Sequence, residues 1–433
     1  MHYFKAGQPT LNWLDPSFAG MQVVVGDALH SLGELGSKGL RLDANGFLGV
    51  EVGSNDDSAW SEGHPLSKAA NQLIAGMVRK VGGFTFQELN LSFEDIASMA
   101  DGGSDLSYDF VNRPAYHHAL AMADTEFLRL TLRTSLELGI DPASLVHALQ
   151  NHDDLTYELV HFWHLHQSDN YRYHGQNVEG GKLRGIVQSD LRTAIVASKN
   201  PYNLLFTENG IACTTTSMIA AILGYGSVEE IGAGDIERIR KVHLLLAMFN
   251  ALQPGVFALS GWDLTGAFTL PIDQVSDLIA EGDTRWINRG AYDLMGNNTA
   301  ATASSTGMPK AKALYGTLPE QLADDGSFAV RLQHILAVRA SYGLDTAFQI
   351  DIPEPQHKSL LIMVHRKTAE GPLQATVLNF SSEEITSTVT SSYFPVGSAV
   401  TDMFSGTELG VIGKKHQISL TLGVYEGTSL LIG

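Results

Sequence analysis

Three acids stand at the polar ends of short apolar segments: Asp43 closes Gly39-Leu-Arg-Leu-Asp43, Glu88 closes Gly83-Phe-Thr-Phe-Gln-Glu88, and Asp153 closes Leu149-Gln-Asn-His-Asp153. Arg41 and Asp43 are two positions apart, so on a strand both side chains leave on the same face. A guanidinium there keeps the carboxylate ionised and aimed, which suits a nucleophile. Glu88 ends an apolar run, a setting that raises a carboxyl pKa by desolvation and retains its proton for acid work. Asn151 and His152 precede Asp153 and add hydrogen-bonding groups suited to hydroxyls. One ionised carboxylate, one protonated carboxyl and an auxiliary acid describe retaining chemistry at a glycosidic carbon. Taken singly, each acid is more often a helix cap or a loop charge. The ordered set, with its flanking residues, is what points to catalysis.

Acids this far apart in sequence can share a site only if the fold converges them, and a parallel barrel gathers the carboxyl ends of its strands at one mouth. Five apolar, β-rich runs end in polar or glycine-containing tips, at 39–43, 83–90, 106–112, 145–151 and 255–263. Helical patterns lie between them. Residues 67–81 carry Leu73, Met77 and Val81 at four-residue spacing, and 119–139 forms one long apolar stripe stopped by Gly139. This alternation predicts a parallel sheet with right-handed crossovers. The span 154–241 is too long for a loop and reads as an insertion, with a helix over 235–250 capped by Asp235 and carrying Ile236, Ile239, Val242 and Leu246. After about residue 342 the pattern changes to period two, at 359–365, 373–380, 398–404, 417–422 and 426–432, as in a small antiparallel β-sandwich. The predicted division is a barrel region over 1–343 and a sandwich domain over 344–433.

With 28 Lys+Arg against 47 Asp+Glu, the formal net charge of −19 opposes phosphate backbones and anionic lipid, so neither nucleic acid nor membrane is an expected partner. The lone cysteine, Cys213, excludes an intrachain disulfide and reads as a small buried hydrophobe. No basic and apolar leader opens the chain, and a cytoplasmic location is expected. His161, His164 and His166 invite a metal reading, but on a continuous helix residues five apart do not share a face, so packing is the expectation and no metal ligand is assigned. The adjacent His117 and His118 would face apart. Gly224-Tyr-Gly226 and Gly232-Ala-Gly234 lack the setting of a dinucleotide fingerprint, and Ser260-Gly261 is no nucleophile elbow. Trp262, Trp286 and Tyr292 could line a sugar pocket or pack in the core.

Gly39-Leu-Arg-Leu-Asp-Ala-Asn-Gly-Phe-Leu48, Phe86-Gln-Glu88 and Gln150-Asn-His-Asp-Asp-Leu155 resemble three sequence regions of the α-amylase family, glycoside hydrolase family thirteen, in the family order. The resemblance implies an (β/α)8 barrel fold of class α/β. It makes Asp43 the nucleophile and Glu88 the general acid/base, with Asp153 holding sugar hydroxyls and stabilising the transition state. Arg41, Phe47, Gln87, Asn151 and His152 are the implied substrate-binding residues. Gln8-Pro-Thr-Leu-Asn-Trp13 resembles the approach to the fourth barrel strand, with Thr10 where an aspartate is usual. Asn151-His-Asp-Asp-Leu-Thr-Tyr-Glu-Leu159, Tyr108-Asp-Phe-Val-Asn-Arg-Pro114 and Gln253-Pro-Gly-Val-Phe-Ala-Leu-Ser-Gly-Trp-Asp-Leu264 look like the trehalose synthase subgroup. That likeness implies maltose and trehalose as small-molecule substrates and transglucosylation with hydrolysis as leakage. It implies no required cofactor, while allowing bound calcium or magnesium.

The family barrel opens with three strands and a small inserted domain, and nothing in this sequence resembles them. The sequence therefore looks like the carboxyl-terminal part of a longer enzyme, carrying about the last five strands of an incomplete barrel. Open sheet edges and unfilled interior layers predict poor stability and weak activity for the chain by itself.

Overall fold

The computed structural model describes residues 17, 19–51, 63–101, 103, 105–163, 165–195, 205–206, 210–280 and 282–433. The segment 8–13 and His164 lie outside them. Two units are distinguished, one made of 1–110 with 134–146 and the other of 111–133 with 147–433.

In the first unit, β1 (Gly39–Leu42), β2 (Phe84–Gln87) and β3 (Leu106–Tyr108) run parallel, and β4 (Leu145–Ala148) begins beside β3. Leu42 is level with Gln87, and Gln87 with Ser107, so the segments after β1 and β2 leave the sheet at one end. The order of the five-stranded sheet is β1-β2-β3-β4 and then Val256–Ala258. These are the five runs read from sequence, each trimmed to its apolar portion. Gly39 is fixed by a close approach: a Cβ there would sit 2.5 Å from the ring of Phe84, its partner on β2.

The helix Pro65–Lys80 begins two residues before the predicted 67–81, with Pro at its first position, the His64 ring accepting from the Leu66 amide at 3.1 Å, and Arg79 and Lys80 in its last turn. Its buried face is not the predicted one. Leu73 and Val81 are exposed, while Ser67, Ala70, Asn71, Ile74, Ala75 and Val78 are buried. Small residues allow a close approach, and Asn71 is kept there by its hydrogen bonds to the backbone carbonyls of Asn45 and Ser67 at 2.9 and 2.8 Å.

The long stripe over 119–139 is two helices, Asn112–Met122 and Glu126–Glu137. The chain breaks at Ala123, which takes a left-handed conformation (φ 47°), and Thr125 then donates its N–H to the Lys358 carbonyl at 2.8 Å. Tertiary hydrogen bonding overrides the apolar period here.

In the second unit the helix Ala233–Ala251 is capped by Gly232, with Asp235 at the third position accepting from the Gly232 amide at 3.0 Å. Asp235 was expected as the cap itself; it completes a capping box instead. The span read as an insertion holds the hairpin Asn170–Tyr173 and Gln176–Glu179, the helix Gly180–Ala194 and a small sheet that includes Leu155–Thr156 and Gly210–Ala212.

The tail forms a six-stranded antiparallel sheet, in the order Phe348–Asp351, Leu360–Arg366, Leu373–Asn379, Gly427–Ile432, Ala399–Asp402, Glu408–Val411, and a pair Ile385–Thr390 with Gln417–Leu422. Ile362, Val364, Ala375, Val377, Val389, Phe394, Ile418 and Leu430 fill the space between the two sheets. Each fully buried aliphatic contributes about 1.5–3 kcal/mol, and the central strands Leu360–Arg366 and Leu373–Asn379 are buried on both faces rather than on alternate residues. Phe348–Asp351, Ile385–Thr390 and Glu408–Val411 escaped the sequence reading, because their apolar residues are sparse and few of their positions are fully buried. No helix among the described residues is long and apolar enough to cross a membrane.

Candidate active site

Asp43 follows β1 and Glu88 follows β2, so parallel register alone brings their side chains to neighbouring strand tips. The Arg41 guanidinium meets both: one nitrogen pairs with the Asp43 carboxylate and the other lies 3.0 Å from Glu88 Oε2. Burial works against charging Arg41, but hydrogen bonding to Asp43 and the charges of Glu88 and Asp43 win and raise its pKa. The ring of Tyr108 lies 5.9 Å from the same guanidinium. Glu88 also accepts from the Ala44 N–H at 3.2 Å, so a cation and a backbone donor face it beside the apolar run. Its side chain is 21% exposed against 72% for Asp43, so solvent reaches the two carboxylates very differently.

The loop after β1 is held from beneath. Ala44 adopts a left-handed conformation and leads into the short turn Asn45–Phe47. The buried Asn45 amide lies 2.9 Å from those of Asn71 and Gln87, tying loop, helix and β2 together. Gln87 is thus fully buried, and its amide serves this scaffold rather than open space. Phe47 is half-buried on the same turn.

In the second unit, Asn151, His152 and Asp153 come together after β4. Asn151 Oδ1 accepts from the Asp153 N–H at 3.1 Å and from Arg113 Nη1 at 3.1 Å, while Asn151 Nδ2 donates to Asp153 Oδ2 at 3.2 Å. The His152 ring lies 3.5 Å from Asp153 Oδ2. Arg285 donates to Asp153 Oδ1 at 2.6 Å, and its other edge grips Asp283 at 2.7 and 3.1 Å. Arg289 donates to the His152 carbonyl at 2.9 Å, and Asn288 to the Asp153 carbonyl at 3.3 Å. Burial raises the pKa of the neighbouring Asp154; that of Asp283 is lowered, because its hydrogen bonds and the charge of Arg285 outweigh its burial.

Sequence reasoning passed over Arg113, Asp283, Arg285, Asn288 and Arg289. The signal was present: Arg113 lies inside a quoted motif, and Arg285 and Arg289 flank Trp286, which was singled out for its ring alone. Asp153 and Asp283 are taken up by guanidinium groups, an arrangement unlike the oxygen cage that calcium or magnesium requires.

The other aromatics are shared between packing and surface. Trp262 donates to the Gly290 carbonyl at 2.7 Å and meets Tyr292 edge-on, while Trp286 stacks under Arg289. The helix Val160–Trp163 is a single turn, so His161 and His166 stack at 4.2 Å although a continuous helix would separate them. Cys213 is buried and its thiol pKa is pushed up to about 12, leaving an unreactive hydrophobe.

No family model and no curated protein matches the sequence. Solved structures do match the fold. An α-amylase from H. orenii superposes with a TM-score of 0.58 at 12% identity over 100% of this chain and 67% of its own. A trehalose-6-phosphate hydrolase from Bacillus licheniformis gives 0.59 at 14% identity, over 98% of this chain and 70% of its own. A trehalulose synthase variant gives 0.61 at 14% identity, over 100% and 72%. The likeness shows an α-amylase-type fold, of which this chain spans about two thirds of the length of the matched structures.

Proposed function

We propose that this chain carries the retaining machinery of an α-glucoside-active enzyme and that its reaction is the intramolecular transfer interconverting maltose and trehalose. Asp43 attacks the anomeric carbon while Glu88 protonates the leaving oxygen, giving a glucosyl ester on Asp43. The freed glucose turns and attacks through its anomeric hydroxyl, Glu88 takes that proton, and the Asp43–carbon bond breaks. Asp153 holds sugar hydroxyls through the transfer, with Asn151 and His152 beside it.

The observation that carries this reading is the shared guanidinium. One Arg41 fork pairs with both carboxylates and holds them as near neighbours, as the short separation of a retaining pair, about 5–5.5 Å, requires. A second reading, hydrolysis of α-glucans, is favoured by the exposure of Asp43, since water that reaches the ester ends the transfer. The third, a sugar-binding remnant without turnover, differs in having no chemistry at Asp43.

The test is to express the chain in its complete reading frame, supply maltose and separate the products. Trehalose supports the transfer, glucose alone supports hydrolysis, and binding without product supports the remnant.

A further inference from the structure

We infer that Arg285 is a positioning residue for Asp153, set by a second carboxylate that exists to aim it. This rests on the glycosyl-transfer reading above and adds a residue that the sequence motifs do not contain. The short helix Thr284–Asn288 begins on Asp283, whose carboxylate accepts from the Arg285 backbone N–H at 3.1 Å and from Nε and Nη2, one edge of the Arg285 guanidinium. The grip fixes the plane of the fork. One nitrogen, Nη1, is left pointing outward, and it donates to Asp153 Oδ1 at 2.6 Å.

Three features make this more than a chance ion pair. First, Asp153 is only 13% exposed at its side chain, so its partner is felt through little water. Second, the same helix turn also holds the backbone of the acid: Asn288 donates to the Asp153 carbonyl, and Arg289 donates to that of His152 while lying 3.4 Å from Asp283. Third, the two Asp153 oxygens have different partners. Oδ1 takes Arg285, and Oδ2 faces the Asn151 amide and the His152 ring. A carboxylate gripped on one oxygen by a rigid fork keeps its plane, and the other oxygen keeps its direction toward a sugar hydroxyl. Lysine cannot do this, since an ammonium offers one point and no plane.

The step acts through Asp153, so removing Arg285 should lower turnover more than affinity. In the protein expressed in its complete reading frame, Arg285→Ala is expected to reduce kcat on maltose about 10²-fold, as for a misplacement of about 1 Å, with KM changed far less. Arg285→Lys should recover little, and guanidinium ion added to Arg285→Ala should recover part. In an Asp153→Asn background, Arg285→Ala should have almost no further effect. An equal unfolding midpoint for wild type and variant separates positioning from misfolding. A kcat unchanged in Arg285→Ala, or the same loss in the Asp153→Asn background, overturns the proposal.

A contact readout keeps this distinct from the reaction itself. The Arg285 guanidinium N–H resonances should exchange slowly with solvent in the wild type and fast in Asp153→Asn. If wild type turns over neither maltose nor an aryl α-glucoside, the glycosyl-transfer reading fails. The resonances then still report on the Arg285–Asp153 contact, and indifference to Asp153→Asn overturns that too.

Discussion

Arg41 serves two carboxylates with one planar group, and the physical consequence is testable at that residue. Arg41→Lys keeps the charge but loses the fork, so one of Asp43 and Glu88 must go without; we expect turnover to fall by roughly 10²-fold, read as kcat on maltose. Asp43→Asn should abolish turnover while leaving maltose affinity nearly intact, because it removes the nucleophile and little binding surface. Calorimetric affinity beside product chromatography checks both halves of that statement. Glu88→Gln should cost about 10² to 10⁴ in rate, the usual worth of a general acid/base, and unchanged turnover would remove Glu88 from its role. At this scale the sequence was readable where spacing is short. Arg41 and Asp43 are two apart on a strand, and geometry requires them to share a face. Arg285 and Asp153 are 132 positions apart, and no local period connects them.

Among the elements, those with strong local signals stood where the pattern put them, and their faces and breaks did not always follow. The helix Pro65–Lys80 carries two apolar stripes, and its core face was chosen by what Asn45 and the Ser67 carbonyl offer Asn71, a choice invisible to a hydrophobic period. The break at Ala123 is likewise a tertiary decision, made by the Thr125 contacts to the Lys358 and Leu360 carbonyls. A left-handed alanine costs roughly 1–2 kcal/mol where glycine costs little, although glycine is also freer when unfolded. Ala123→Gly should therefore stabilise the protein by up to about 1 kcal/mol. Denaturant unfolding measures it, and a lower midpoint would mean that the turn is not strained.

For the whole molecule, buried histidines set the response to acid. Burial lowers the pKa of His117 to about 3, with the charges of Arg113 and His243 adding to the effect, and burial with the charge of Arg339 does the same for His365. Their ordinary value is 6.5, so between pH 6.5 and 3 the unfolded chain binds protons that the folded chain refuses. The stability of burying them neutral is complete above about pH 6.5 and is lost as pH falls, at up to about 1.4 kcal/mol per pH unit for each. Neither ring nitrogen of His365 has a hydrogen-bond partner among the described residues, so His365→Leu should flatten that slope by about one proton without a polar penalty. Urea unfolding across pH 4–6 would show it, and an unchanged slope would exclude His365 as a source. The alternation of strand and helix, and then the period-two tail, were enough to place this chain in the α/β class with an antiparallel sandwich behind it.

What the sequence determined by itself is the set of things fixed by neighbours along the chain: five strand tips, the acids on them, the pairing of Arg41 with Asp43 and the β-rich strands of the tail. Each follows from a repeat of two or about four residues, which the backbone imposes before any folding. The tertiary structure decided that Arg41 also reaches Glu88, that Gln87 turns inward to Asn45, which stripe of the helix Pro65–Lys80 is buried, and that Asp283 aims Arg285 at Asp153. Those are meetings of side chains distant in sequence, selected by hydrogen-bond satisfaction and packing once the elements have docked.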